Sequence, residues 1–458
     1  MSGFQIVVLW SDVLVWLLLA AGIGLAVLIA RNPPLLAAWR RVGSNRIGMA
    51  SATILLAFIA VGLLDSLHYR VALDGKPGEK TQYAIEVLSA LDALVGPLRT
   101  ENEKTYSAPF ASQLYAKETF DRPGVGTVRE FPRLKYGASH LQDPAALTGD
   151  VAVTALRAGG LALFGWLLLA SVVALRCGGW RAVWRGDTAF AWNAVLATLA
   201  LIVLTLVPLF ALAGDYHVFG TDKVGQDVLY QILKSVRTAL IIGLVTTLVM
   251  LPVAVLLGIV AGYFRGWVDD LIQYLYTVLN SIPGVLLIAA AVLMMQVVID
   301  SHPEWFATAA ERADLRLLAL CFILGITSWT GLCRLLRGET LKLRELEYIQ
   351  AAQAFGVSSW RIILRHILPN LMHIVIIALV MDFSGLVLAE AVLSYVGIGV
   401  DPTMTSFGTM INNARMELGR EPVVWWSLTA AFAAMFILVL AANLFADAVR
   451  DAFDPRAA

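Results

Sequence analysis

Nine stretches of the chain are long and almost wholly apolar: roughly 6–30, 47–67, 152–175, 190–213, 236–262, 271–298, 315–334, 371–395 and 425–447. A hydrocarbon layer of ~30 Å takes about 20 residues of helix to cross, and inside it only a helix or a closed barrel satisfies every backbone group. The pattern predicts an all-α membrane protein with about nine transmembrane helices. Composition agrees, with 59% hydrophobic and 15% charged residues, against roughly 45–50% and about 25% in soluble domains. The formal net charge is zero and no basic arm or stripe occurs, which argues for membrane lipid and against nucleic acid as the partner. Cys177, Cys321 and Cys333 are far apart and make no CxxC pair, so neither a disulfide framework nor a zinc site is readable.

Basic residues orient the spans. Arg31, Arg40, Arg41 and Arg46 follow the first apolar stretch, the reverse of the charge order in a cleavable signal peptide. Arg176, Arg181 and Arg185, then Arg265, then the basic run from Arg334 to Arg365 fall in alternate loops, while 214–235 and 299–314 are mixed or acidic. The positive-inside rule then sets the N-terminus outside and the C-terminus in the cytoplasm. This threading makes the polar segment 68–150 a small external domain. Within it Ala84, Leu88, Leu91, Val95 and Leu98 recur at helical spacing and predict one amphipathic helix over 84–98. The Pro- and Gly-rich run 121–137 reads as loop with at most short strands. His68 and His140 lack the spaced partners that a metal site needs.

A second polar insert, YIQAAQAFGVSSWRIILRHILPN at 348–370, falls in the cytoplasm. Good helix formers run from Glu345 to Phe355, and Gly356 follows where a helix would stop in the left-handed conformation. Ser358 or Ser359 can cap a second helix, in which Trp360, Ile363, Leu364, Ile367 and Leu368 form one apolar stripe and Arg361 and Arg365 another face. Pro369 is expected to end or kink it. Ala351, Ala352 and Ala354 would let another backbone come close. Two readings stand on physics alone: a plug for a cytoplasmic partner, or a hairpin lying on the membrane surface.

Polar residues inside apolar spans are costly in lipid and tend to face a pathway. Asp382 lies mid-span with Glu390 about two turns on, and Asn280, Ser281 and Pro283 interrupt the sixth span. They are candidates for a translocation path or gate, or for hydrogen bonds between helices. No GxxxxGK[ST] phosphate loop is present; the nearest fragment, DGKPGEKT, has the wrong spacing. HExxH and GxSxG are also missing, so the chain reads as non-catalytic, with no bound cofactor or metal of its own.

The stretch QAAQAFGVSSWRIILRHILPN resembles the EAA loop of ABC-importer permeases, through Ala351, Ala352, Gly356 and Leu368-Pro369, with Gln350 in place of the usual Glu and His366 in place of an apolar residue. HVFGTDKVGQDVLYQ resembles the Gly-Thr-Asp…Gly-Arg-Asp signature of the dipeptide/oligopeptide/nickel branch, C-type subunit. There Gly220, Thr221, Asp222, Gly225, Asp227 and the later Arg237 match, while Gln226 and Tyr230 depart from it. Leu393, Ser394, Gly397 and Gly399 resemble a third segment, so the likeness covers about 190–455. It implies a six-helix permease core at 186–458 with its loop at 338–370, preceded by two spans at 1–67, the external segment 68–150, and a third extra span with its loop at 151–185. It also implies docking of the ATPase on Glu347, Tyr348, Gln350, Ala351, Ala352, Gly356, Arg361, Arg365 and Pro369. Ser394 and Gly397 join Asn280, Pro283, Asp382 and Glu390 along the path. The implied partners are a second homologous permease, two ATP-binding cassette subunits that hold ATP and Mg, and an external solute-binding protein, all at a bacterial inner membrane. A stand-alone carrier or channel using Asp382 and Glu390 is the other reading, and a membrane-anchored receptor a third. Segment 68–150 is expected to be a cap that packs on the external face and helps seat the binding protein.

Overall fold

The computed structural model describes residues 3–73, 82–122, 126–306 and 308–453. Its helices in chain order are α1 (Trp10–Arg31), α2 (Pro33–Ser44), α3 (Arg46–Asp65), α4 (Ala90–Leu94), α5 (Gly96–Thr100), α6 (Leu147–Arg176), α7 (Trp180–Arg185), α8 (Trp192–Ala213) and α9 (Val228–Phe264). They continue as α10 (Gly266–Ser281), α11 (Gly284–Ser301), α12 (Ala309–Ser328), α13 (Thr330–Arg344), α14 (Glu347–Ala354), α15 (Ser359–Ile362), α16 (Leu368–Val396), α17 (Phe407–Arg415) and α18 (Trp426–Phe453). The few strands are β1 (Phe4–Val7), β2 (His68–Val71) and β3 (Leu88–Ser89), which form one antiparallel sheet, and the hairpin of β4 (Glu118–Arg122) with β5 (Gly126–Glu130). Among the described residues, 9 helical segments are long and apolar enough to cross a membrane, the number expected from the sequence. The protein is an all-α membrane protein.

The chain forms two compact units, which divide it differently from the segments read off the sequence. The first comprises Leu19–Thr238 and Thr405–Phe445 with β1. In it α8 packs on both α3 and α6. Ala158, Ala162, Ala170 and Ala174 are the buried residues of α6, small side chains in two i, i+4 pairs on one face that let helices approach closely in lipid. Residues from the segments 82–122 and 126–146 fold onto the end of α8 and the start of α9. Leu91, Val95, Leu98 and Ala138 are buried in one cluster with Leu212, Ala213, Tyr216, Leu229 and Leu233. The apolar periodicity of 84–98 thus marks buried positions, but one continuous helix does not form. Ser89 and Asp92 make a capping box that starts α4 only at Ala90, and Gly96-Pro97 starts α5 afresh because Pro lacks the N–H a helix interior needs.

The second unit comprises Ala239–Met404 with Leu9–Leu18 and the end of α18. The sixth apolar stretch is broken in two: Ile282 is extended (φ −93, ψ 130) and Pro283 is the N-cap of α11. Beyond the apolar stretch at 315–334, helix continues to Arg344, because α13 is amphipathic and buries Leu332, Cys333, Leu336 and Thr340. The second helix of the insert is not separate either. Residues 359–396 are helical throughout, with a π turn at Ile363–Ile367. Pro369 sits in the first turn of α16, just after the π turn, so of the two expected outcomes the helix does not end there. The π turn also shifts the apolar face. Ile362, Ile363, Ile367 and Leu371 are buried, whereas Trp360 and Leu364 of the expected stripe are exposed.

Candidate functional site

The polar insert at 348–370 is built on α14. Ile349 is fully buried among Met250, Trp329 and Leu336, and fixes the helix to its unit. Its C-terminus is a Schellman motif: Gly356 N–H donates to the Gln353 carbonyl at 3.0 Å and Val357 N–H to the Ala352 carbonyl at 3.1 Å. Gly356 has φ +72 and nothing within 4 Å of where a Cβ would be, so backbone conformation alone requires glycine here. Ser358 occupies the next N-cap, but its side chain makes no capping hydrogen bond. Glu347, Tyr348, Gln350, Ala351, Arg361, Arg365 and Pro369 are exposed, and Ala352 is half-buried against the core. Gln350 Nε2 donates to the Glu345 carbonyl at 3.3 Å, and Asn370 Nδ2 to the Tyr348 hydroxyl at 3.1 Å. Phe355, which the sequence reading passed over, is 88% exposed beside these polar groups. Its ring stands uncovered at the C-terminal end of α14, next to the Gly356 turn.

Of the polar candidates in the spans, Glu390 and Ser394 are brought together. Glu390 is buried and accepts a hydrogen bond from Ser394 at 2.5 Å one turn along α16. Asp382 is half-buried and has no hydrogen-bond or ion-pair partner among the described residues. Eight residues separate the two, roughly 12 Å of helix rise, too far for a shared proton. Gly397 ends α16 in the left-handed conformation. Asn280 lies at the end of α10 beside the Ile282–Pro283 break and accepts from Thr330 Oγ1 at 3.1 Å. Among the described residues no group of three or more His, Cys, Asp or Glu is placed to hold a metal.

The first unit holds a buried polar site that the sequence did not reveal. His217 Nδ1 donates to Asp227 Oδ2 at 2.8 Å, and His217 Nε2 lies 3.5 Å from Glu103 Oε1, with all three side chains buried. Glu103 also accepts the backbone N–H groups of Lys135 (2.9 Å), Tyr136 (2.8 Å) and Gly137 (3.1 Å). Burial opposes the charge of Glu103, but the imidazole and these three donors prevail and hold its carboxyl at about 2. Burial likewise opposes the imidazolium, and the two carboxylates lift His217 to about 9. Asp227 in turn caps α9, accepting from Leu229 N–H at 2.8 Å. Gly225 (φ +78) lies so close to the Glu103 carbonyl that a Cβ there would sit 1.8 Å from it. Thr221 is held by Thr105 and Ser107, and its carbonyl accepts from Trp426 Nε1 at 3.0 Å. The adjacent cavity, about 10 Å³, has room for roughly one water and no substrate. The cluster ties Glu103 and the backbone at 135–137 to His217 and to the start of α9, a structural contact with no room for cargo.

Nine helical segments long and apolar enough to cross a membrane, counted among the described residues, make this a multi-pass membrane protein, and the α14 loop is anchored by Ile349 and otherwise exposed. Residues 254–458 match the family model described as "Binding-protein-dependent transport system inner membrane component". The chain is 34% identical over 242 residues to the glutathione transport system permease protein GsiD of Pectobacterium atrosepticum, covering 52% of this chain and 73% of that one. It is 30% identical over 282 residues to the oligopeptide transport system permease protein OppC of Mycobacterium bovis, covering 57% and 90%. The dipeptide transport system permease protein DppC of Lactococcus lactis is 30% identical over 243 residues, covering 53% and 65%. The chain belongs to the permease family of binding-protein-dependent ABC transport systems, and nothing in these likenesses supports a stand-alone carrier.

Proposed function

We propose that this chain is one of two homologous permease subunits in an ATP-driven importer of peptides or similarly sized solutes. Two ATPase subunits, which bind ATP and Mg, dock on the coupling loops of the two permeases, in this chain the loop of α14. A binding protein delivers cargo on the opposite side, where the N-terminus lies, with the C-terminus in the cytoplasm. The observation that carries the reading is the loop itself: Ile349 buried, the Gly356 turn fixed, and Phe355, Ala351 and Arg361 presented to solvent. The peptide class is supported by the oligopeptide and dipeptide systems of its relatives. Purification of the native complex tests it. ATPase chains should co-purify, and a panel of dipeptides, longer peptides and glutathione, presented on the binding protein, should stimulate hydrolysis selectively. Absence of any ATPase chain would sink the reading.

Segment 68–150 faces the incoming binding protein in this arrangement. An open groove of about 520 Å³, lined by Ala108, Leu114, Tyr115, Phe131 and Pro422, offers an apolar seat there. Asp382, half-buried and without a hydrogen-bond or ion-pair partner among the described residues, is assigned to the path. Asp382→Asn keeps shape and removes charge, so uptake should change several-fold while the amount of assembled complex stays within about twofold. Loss of assembly in that variant would make it a packing residue instead.

A further inference from the structure

Helices α10 and α13 are pinned to each other along their length. Arg265, just before α10, pairs with Glu345, just after α13. Arg337 donates from Nε and Nη2 to the two oxygens of Asp269 at 2.5 and 2.7 Å. The Arg334 guanidinium lies 5.7 Å from the Tyr276 ring centre. Thr330 donates to Asn280 at 3.1 Å. Positions rise along α10 as they fall along α13, so the helices run antiparallel. The pinned length, 16 residues of α10, is about 24 Å.

The two ends of this pair meet two different things. At one end, Glu345 accepts from Gln350 of the coupling loop through both its carbonyl (3.3 Å) and its carboxylate (3.4 Å). At the other, α10 stops at Ile282–Pro283, where the helix hydrogen-bond ladder is interrupted and the backbone is extended. We infer that α10 and α13 act as a single strut that carries displacement of the coupling loop to this break, with Asp269 and Arg337 as its positioning pair. The inference rests on the proposed function and deepens it. A bidentate guanidinium–carboxylate pair fixes both distance and rotation. With Asp269 and Arg337 side chains only 12% and 23% exposed, it is screened far less than the exposed Arg265–Glu345 pair. The soft joint lies beyond the last pin, so movement at the loop end appears at Pro283 and is not lost between the helices.

The test uses the intact transporter in proteoliposomes, with the binding protein and the peptide of the panel above that stimulates hydrolysis most. Uptake and ATP hydrolysis are measured together. Asp269→Asn and Arg337→Gln should each keep hydrolysis but lower solute moved per ATP about tenfold. The exchanged pair, Asp269→Arg with Arg337→Asp, should restore part of that ratio. An unchanged ratio, or uptake and hydrolysis falling by one common factor, overturns the strut. A second measurement does not depend on these variants assembling. In a chain with Cys177, Cys321 and Cys333 replaced by Ala, Tyr276→Cys and Arg334→Cys are joined by a short rigid thiol linker. Joining two parts of one strut should leave uptake intact, whereas loss of uptake only on linking shows that the helices slide and contradicts the inference. Wild-type complex that hydrolyses no ATP would instead remove the functional reading beneath it.

Discussion

Glu103→Ala should lower the stability of the purified protein by roughly 3–5 kcal/mol, the scale for removing one partner of a buried charge cluster. The substitution strips the imidazolium of one of its two carboxylates and leaves the N–H groups of Lys135, Tyr136 and Gly137 without their acceptor. Glu103→Gln keeps an acceptor oxygen and should lose about half as much. Thermal unfolding in detergent reads both. Equal, small losses in the two variants would mean that the segment only rests on the core. The same cluster sets a pH window. His217 is raised from 6.5 to about 9 in the folded protein, so its contribution is complete below 6.5 and lost as pH rises through 9. Glu103 is lowered from 4.5 to about 2, so its contribution is complete above 4.5 and lost as pH falls through 2. Stability should therefore be highest between these limits and decline from pH 6.5 to 9, and His217→Asn should remove that decline. A wild-type protein equally stable across the alkaline range contradicts a buried imidazolium.

Gly356→Val should reduce ATP-coupled uptake at least about tenfold while the chain still inserts. At φ +72 a β-branched residue is forced out of the left-handed turn, at a strain of roughly 1–2 kcal/mol or more, and the Schellman bonds to Gln353 and Ala352 go with it. No neighbouring atom is struck, so the effect stays in the loop. Ala352→Arg acts differently, placing a long charged side chain where the half-buried alanine lets α14 lie close to its surroundings. It should weaken co-purification of the ATPase as well as uptake. Wild-type uptake by both variants would make the loop a surface hairpin.

These two sites differ in how far the sequence showed them. The spans were legible because lipid demands about 20 apolar residues at a time, and a run of that length overrides local propensity. The Gly356 turn was legible because one residue type serves a left-handed C-cap. The helix at 84–98 was misread because burial, not continuous helix, explains the spacing of Leu91, Val95 and Leu98, and Pro97 resets the backbone. That the helix runs on past Pro369 was not legible, because the π turn at Ile363–Ile367 that precedes it has no sequence signal. The Glu103 cluster was invisible for another reason. His217 and Asp227 flank a recognisable signature, but Glu103 is 114 residues upstream (217 − 103) in a segment without periodicity, and only tertiary folding brings its carboxylate to them. Asp269 and Arg337 were hidden in the same way, each an ordinary charge beside an apolar stretch.

The source of energy tests the account most directly. The chain should be reconstituted twice in sealed vesicles: once with its co-purifying ATPase chains and loaded binding protein, and once alone under an imposed proton gradient. The account predicts uptake that requires enclosed ATP and the partner chains, and none by the chain alone. Accumulation of peptide by the chain alone, driven by the proton gradient without ATP, would contradict it.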